Sequence, residues 1–274
     1  MTDQETMNKE MIGEVWRTYL TTGEMPDYIG APWYTSKRLR SFYLHLPNNP
    51  RCRVCYYPFK GIGGSIMRRV FGITPSKLNP HICNQCEQFL EKFQGGAEVE
   101  LTILFVDVRG STRLAEEMNP TEFSQLINRF YNATTNVLFE YGAMVEKIAG
   151  DAVTGFFTPG FTGSDHAHIA IEAARKILVA TGNHGSLETS IPVGIGIHTG
   201  RAYVGAVNSD FGISDIAVLG DTANIGARLT SLARKGEILI SKETARAAHL
   251  DNAGVEIRTM ELKGRNQPVE VWVL

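Results

Sequence analysis

No stretch of this 274-residue chain holds 18 consecutive apolar residues, so no segment predicts a membrane-spanning helix. Its first residues are polar and acidic, which predicts no secretory signal and a cytoplasmic protein. Neither sign of charge dominates: the formal net charge is −2, which gives no global reason to expect nucleic acid or an acidic surface as partner. Internal repeats and low-complexity tracts are absent. Cysteine is scarce, with only four residues. What is present is apolar content, 43% of the residues, enough for a sizeable core plus one small module.

The four cysteines form two C-x-x-C knuckles, Cys52-Arg53-Val54-Cys55 and Cys83-Asn84-Gln85-Cys86. Each knuckle offers two thiolates on one tight turn, and two knuckles close a tetrahedral four-sulfur site. Disulfides are the competing use, but a chain of cytoplasmic type keeps its thiols reduced. Zn²⁺, one per chain, is the expected occupant; rubredoxin-like iron or an iron–sulfur cluster would use the same ligands.

Residues 51–92 carry seven Lys/Arg against two Asp/Glu. That excess suits an anionic surface or nucleic acid, and equally a plain solvated face, so nucleic acid is not expected as a partner. Between the knuckles, Gly61, Gly63 and Gly64 lead into a short amphipathic helix over Ser65–Phe71. Upstream, Met7, Met11, Ile12, Val15, Trp16, Tyr19 and Leu20 follow helical spacing and predict a helix that packs on a partner chain or on the C-terminal domain. Trp33-Tyr34 and Phe42-Tyr43-Leu44 suggest a strap with aromatic anchors, and Gln94-Gly95-Gly96-Ala97 reads as a hinge. The division that results is 1–48 helix and strap, 49–94 cysteine module, 97–274 main domain.

Three further segments carry chemistry. In the first, an apolar run from Leu101 to Val106 ends on Asp107, and Gly110-Ser111-Thr112 opens the next helix. A strand-end carboxylate beside free helix-start amides suits a metal shared with a phosphate, although such an Asp also serves simply as a cap. In the second, residues 145–157 read as two strands folded at Gly150-Asp151, which brings Asp151 near Asp107; alone, Asp151 would be a turn residue. Two neighbouring carboxylates repel unless a divalent cation neutralises them, and metals held this way serve phosphoryl chemistry. In the third, Gly220-Asp221-Thr222-Ala223-Asn224-Ile225-Gly226-Ala227-Arg228-Leu229 places Asn224 and Arg228 on one helical face, with Asp221 or Thr222 as cap and Ala223, Ala227 and Leu229 beneath. Arg offers a charged fork for phosphate oxygens, and Asn a donor and an acceptor suited to a sugar. Gly194-Ile195-Gly196-Ile197-His198-Thr199-Gly200 alternates as a core strand does, with His198 structural.

In their order, FVDVRGST, KIAGDAV, VGIGIHTG, GDTANIGARL and a terminal LKG with PVEV, these segments resemble the class III nucleotidyl cyclase catalytic domain over roughly residues 97–274. The resemblance implies an α+β fold, a ferredoxin-like βαββαβ core with helices on an antiparallel sheet. It implies that Asp107 and Asp151 bind two Mg²⁺ or Mn²⁺ ions with the Val108 carbonyl as a further ligand, and that amides of Gly110, Ser111 and Thr112 hold the β- and γ-phosphates. Asn224 would orient the ribose, Arg228 stabilise charge on the α-phosphate, and Lys263, or Arg265 beside it, bind the triphosphate. The catalytic unit implied is a homodimer with shared sites, in which the Asp pair of one chain faces Lys147, Asn224 and Arg228 of the other.

Base choice rests on two positions. Lys147 matches the lysine that adenylate cyclases aim at adenine N1, an acceptor that guanine lacks there. Ala217 stands where many members carry Asp, Thr or Ser, and alanine cannot accept from the adenine amino group. A water, a backbone carbonyl or a re-aimed Asp215 would replace it, or selection is loose. The expected activity is conversion of ATP to 3′,5′-cyclic AMP and pyrophosphate. The alternatives are cyclisation of GTP or a pyrimidine nucleotide, and a catalytically weak binding protein of cyclase fold whose zinc module contacts nucleic acid or protein.

Overall fold

The structure is a computed structural model, described here for residues 3–26, 42–43, 50–182, 190–208, 214–251, 255–261 and 268–274. It divides into two compact units. One comprises Met1–Val99, Thr158–Phe161 and Ala202–Leu219; the other comprises Glu100–Phe157, Thr162–Arg201 and Gly220–Leu274. The first thus includes two segments that the sequence division assigns to residues 97–274. Residues 33, 34 and 44 of the expected strap lie outside the described residues.

In the first unit, α1 (Asp3–Thr22) buries Val15, Trp16, Tyr19 and Leu20. It packs against α3 (Asn84–Lys92) and the residue after it: the Trp16 indole N–H donates to the Phe93 carbonyl at 2.9 Å, and the Trp16 and Phe89 rings lie 5.1 Å apart. The apolar stripe of α1 therefore meets the helix that starts at the second cysteine knuckle, where the sequence suggested a partner chain or the main domain. Helix α2 (Gly61–Phe71) begins four residues earlier than its apolar pattern indicates, and runs through the glycines. They serve packing: a Cβ on Gly64 would sit 2.5 Å from the Phe59 carbonyl carbon. The expected hinge is clamped for the same reason. Gly95 offers its carbonyl to the Ala206 amide at 2.8 Å, and a Cβ on Gly96 would meet the Val204 oxygen at 2.3 Å.

In the second unit, β1 (Gly96–Val108, from Glu100 onward), β2 (Met144–Ala149), β3 (Ala152–Phe157), β4 (Val193–Asn208, up to Arg201), β6 (Ile238–Ser241), β7 (Glu256–Met260) and β8 (Val269–Val273) form a sheet in the order β2-β3-β1-β4-β6-β8-β7. The β4–β6 pair is parallel, whereas β1–β3, β2–β3, β6–β8 and β7–β8 are antiparallel. With α4 (Ser111–Glu117) and α5 (Pro120–Glu140) after β1, and the short α6 (Pro159–Thr162) and then α7 (His166–Ala180) after β3, the first four strands make a βαββαβ core. Its α+β class is the expected one. Phe130, Val137 and Leu138 of α5 and Ile171 and Ile177 of α7 join Val106, Val153, Ile195 and Ile197 in one core cluster. A second cluster joins Ile225 and Leu229 of α8 (Asp221–Leu232) to Leu239 and Val271.

Glycines in β4 let α8 approach. A Cβ on Gly196 would lie 2.3 Å from the Thr230 amide nitrogen, so any side chain there would push the helix off the sheet. His198 is buried with Nδ1 2.7 Å from the Ser241 hydroxyl, the structural role expected of it. Continuing into the first unit, β4 pairs antiparallel with β5 (Ser214–Leu219), with Gly205 opposite Ala217.

Candidate active site and thiol cluster

Strand β1 carries Asp107 to its end in register with Ala152, and the β2–β3 hairpin turns at Gly150, whose φ of 61° needs no Cβ to be comfortable. The Val108 amide donates to the Asp151 carbonyl at 2.9 Å, which brings the two aspartates to one rim. Ser111, the first residue of α4, donates its hydroxyl to Asp151 Oδ2, and Tyr131 on α5 donates to the Gly150 carbonyl. Gly110, at φ 69°, makes the turn into α4. Burial raises the Asp107 pKa above the ordinary carboxylate value, and the Asp151 charge adds to this, while Arg109 works against both. Burial and Asp151 likewise push the Tyr131 hydroxyl up. A half-buried pair of hard oxygen ligands whose charges oppose each other fits Mg²⁺ or Mn²⁺.

The motif alone gives Arg109 no role, although it stands two residues beyond Asp107. Its Nη2 meets Asp107 Oδ1 at 2.7 Å, and its Nη1 donates to the carbonyls of Thr230 (3.1 Å) and Ser231 (3.3 Å) in the last turn of α8. One guanidinium thus ties a candidate metal ligand to the helix that bears Asn224 and Arg228. Such outer partners fix the orientation of a ligating carboxylate.

Asn224 is exposed and Arg228 half-buried, on the side of α8 away from its buried Ile225, Gly226 and Leu229. Two details of the expected helix differ. Neither Asp221 nor Thr222 caps it: the N-cap is Gly220, and the Thr222 hydroxyl instead donates to the Arg201 carbonyl at 2.6 Å. Ala227 is exposed and Ala223 only half-buried, because the buried stripe passes through Gly226. Lys147 is exposed on β2, just past a register shift between Val145 and Lys147. Among the described residues, Lys147, Asn224 and Arg228 form no hydrogen bond or ion pair with Asp107 or Asp151. Lys263 and Arg265 lie outside the described residues.

Ala217 is half-buried on β5, and Asp215 shares its face of the strand. Burial raises the Asp215 pKa; its own strand amide at Ile216, then the charges of Arg53 and His81, pull the other way. Asp215 Oδ1 accepts from that amide at 2.9 Å. One oxygen of Asp215 is therefore taken up by its own strand.

The four thiols are buried and free, with all four Sγ atoms within 4.8 Å of one another. Cys52–Cys86 is 3.7 Å and Cys55–Cys83 is 3.6 Å, against about 3.8 Å for sulfurs around tetrahedral Zn²⁺ and about 2.05 Å for a disulfide. The Cys83 amide points at Cys52 Sγ (3.3 Å) and the Cys86 amide at Cys83 Sγ (3.4 Å), donors suited to thiolates. Burial pushes the Cys55 thiol up; for Cys52 the neighbouring thiols outweigh burial and hold it well below its usual value. A cation at the centre would let all four ionise.

This core and this carboxylate pair define a nucleotidyl cyclase domain. The chain belongs to the adenylate and guanylate cyclase catalytic domain family, which it matches over residues 95–274. Class III cyclases use divalent metals. An adenylate cyclase of Anabaena cylindrica is 29% identical over 196 residues, covering 68% of this chain and 39% of the relative. An uncharacterized protein of Mycobacterium tuberculosis is 28% identical over 183 residues, or 65% of this chain and 34% of its own length. The chain thus spans well under half the length of these relatives. The crystal structure of the guanylyl cyclase Cya2 shares 29% identity at a TM-score of 0.58, over 65% of this chain and 93% of that one. The adenylyl cyclase CyaB from P. aeruginosa shares 28% at 0.55, over 65% and 94%. Both base specificities occur among these neighbours.

Proposed function

We propose that this chain is an adenylate cyclase that converts ATP to 3′,5′-cyclic AMP and pyrophosphate as a homodimer with shared sites. The observation that carries the reading is the pairing of Asp107 with Asp151 at one rim. Bound Mg²⁺ or Mn²⁺ would supply acidification of the ribose 3′-hydroxyl and neutralisation of the phosphates. Asp107 and Asp151, with the Val108 carbonyl, would hold the two ions. Arg109 and Ser111 each occupy one carboxylate oxygen, which leaves the other oxygen of each aspartate to face the ions. Gly110, Ser111 and Thr112 offer backbone amides to the β- and γ-phosphates, with Lys263 as a further cation. Asn224 orients the ribose so that its 3′-oxygen is in line with the α-phosphorus. Arg228 meets the charge that builds on the α-phosphate as the bond to the leaving pyrophosphate breaks.

A shared site accounts for the lack of any bond within the chain between the carboxylates and Lys147, Asn224 or Arg228: each set serves a different pocket of the dimer. The thiol cluster holds one Zn²⁺ as a scaffold, with iron the alternative, in a cysteine module at 49–94 preceded by helix and strap; reduced thiols suit the cytoplasm.

One observation favours a second reading. Ala217 presents no acceptor to the adenine amino group, and one oxygen of Asp215 is taken up by its own strand. A missing partner costs about 1–3 kcal/mol, roughly ten- to a hundredfold in discrimination, so GTP or a pyrimidine nucleotide competes more closely than Lys147 alone suggests. Incubating the purified chain with Mn²⁺ and each of the four ribonucleoside triphosphates, with products identified by mass, tests both readings. Cyclic AMP as main product supports the first, a different cyclic nucleotide the second, and no product with any of the four would leave a binding protein of cyclase fold.

A further inference from the structure

From Arg51 through Cys86 the chain holds no Asp or Glu, while Lys60, Arg68, Arg69 and Lys77 are all exposed. Along this basic surface α2 shows an apolar line. Ile62, Ile66 and Val70, one helical turn apart, are 80%, 47% and 66% exposed, and Leu78 beyond the helix is 51% exposed. The opposite side of α2 is already used: Gly63, Gly64 and Met67 are buried, and Gly64 leaves no room for a side chain against Phe59. The helix therefore cannot roll to hide its exposed line. It is held in place, apolar side outward, with cations beside it.

Charge selects what covers such a face. A second copy meeting it by two-fold symmetry would set four cations against four more. Nucleic acid would satisfy the cations but would set Ile62, Ile66 and Val70 against phosphates. An anionic bilayer satisfies both, because apolar side chains enter the acyl boundary while lysine and arginine stay among the headgroups. We propose that α2 and Lys77–Leu78 form a docking surface for anionic lipid, which would hold the cyclase reversibly at a membrane face. An 11-residue helix lying flat gives one weak anchor, so binding should be charge-dependent and salt-sensitive.

The test is sedimentation of the 274-residue chain, as purified, with phosphatidylcholine vesicles, with and without phosphatidylserine. Each lysine or arginine at an anionic surface is worth about fivefold in partitioning, so phosphatidylserine should raise binding at least tenfold, and high salt should reverse it. Arg69→Glu and the pair Ile62→Asp, Val70→Asp should each lower binding about tenfold or more. Because these side chains are exposed, cysteine-bound metal and circular dichroism should be unchanged; if the double variant loses either, Ile66→Ser gives the milder test and should still weaken binding. Equal binding to both vesicle types, or variants that bind like the parent, would overturn the proposal. So would a change in oligomeric state in the apolar variants without any vesicle binding, which would assign the face to a second copy. Binding is read without nucleotide, so the result stands apart from the cyclase reading.

Discussion

Among the described residues, the thiol cluster and the carboxylate pair are suited to metals and are built in opposite ways. The thiol cluster takes two ligands from each of two short turns, is buried, and has two of its sulfur pairs near tetrahedral spacing. The carboxylate pair takes one ligand from a strand end and one from a hairpin tip, is half exposed, and has an oxygen of each aspartate engaged by Arg109 or Ser111. A closed set of soft ligands suits an ion that stays and holds a small module together. An open set of hard oxygens suits ions that arrive with a nucleotide and leave with its product. On the proposed reading, ligand chemistry and burial would separate an ion that stays from ions that turn over.

The sharpest way to break this comparison is to remove one carboxylate. Asp107→Ala or Asp151→Ala should lower cyclisation at least about a thousandfold, since the ions supply several kcal/mol of transition-state stabilisation and each 1.36 kcal/mol is tenfold. Thermal unfolding should be nearly unchanged, because both side chains stand at a rim and not in the core. Near-normal turnover in either variant would remove the pair from the chemistry.

Mixing comes next. Asp107→Ala chains and Arg228→Ala chains, each inactive alone, should regain about a quarter of parental activity after exchange: half the dimers are mixed, and each has one intact site of two. No recovery, with exchange verified by differently tagged chains, would mean that the sites are not shared.

Lys147→Glu has a smaller expected effect, a shift of about ten- to a hundredfold from ATP toward GTP, because a carboxylate accepts from guanine N1–H and repels adenine N1. Steady-state comparison of the two triphosphates measures it. Equal losses on both would show that Lys147 does not read the base.

The motifs announce much of this. The hairpin at Gly150-Asp151, the core strand through His198 and the two cysteine knuckles are local patterns, legible because period and turn chemistry reveal them. What stayed hidden depends on partners far away in the chain. Arg109 reads as one charge in a loop until the topology brings it to Thr230 and Ser231. Nothing in the sequence near His166 points to its partners: Thr102 Oγ1 lies 2.8 Å from its Nδ1, with Thr199 bonded to the same hydroxyl. The glycines at 95–96 look like a hinge because glycine serves both freedom and close approach, and only the atoms around them decide between the two. The residues proposed to read the base are the least legible, since an alanine such as Ala217 carries no chemistry of its own.

The smallest expected effect on catalysis is at the other centre. Cys83→Ser removes one of four thiols and also changes the N-cap of α3, whose Phe89 and the following Phe93 receive Trp16 of α1. A lost metal ligand is among the changes that cost about 4 kcal/mol or more, so the transition of the module should fall by roughly 15 °C or more and separate from that of the sheet domain. Calorimetry with and without a chelator would resolve the two transitions, and elemental analysis should find about one zinc in the parent and less in the variant. Activity that survives should keep its base preference, because Lys147 lies on β2 and Ala217 offers the base nothing to lose. The one physical route for a contrary result is visible: Arg53 of the first knuckle and His81 before the second both act on Asp215, two residues from Ala217 on β5. If Cys83→Ser alters the ratio of ATP to GTP turnover, and Asp215→Asn does the same with the zinc still bound, the structural centre reaches the base pocket through that strand and the two centres are not independent.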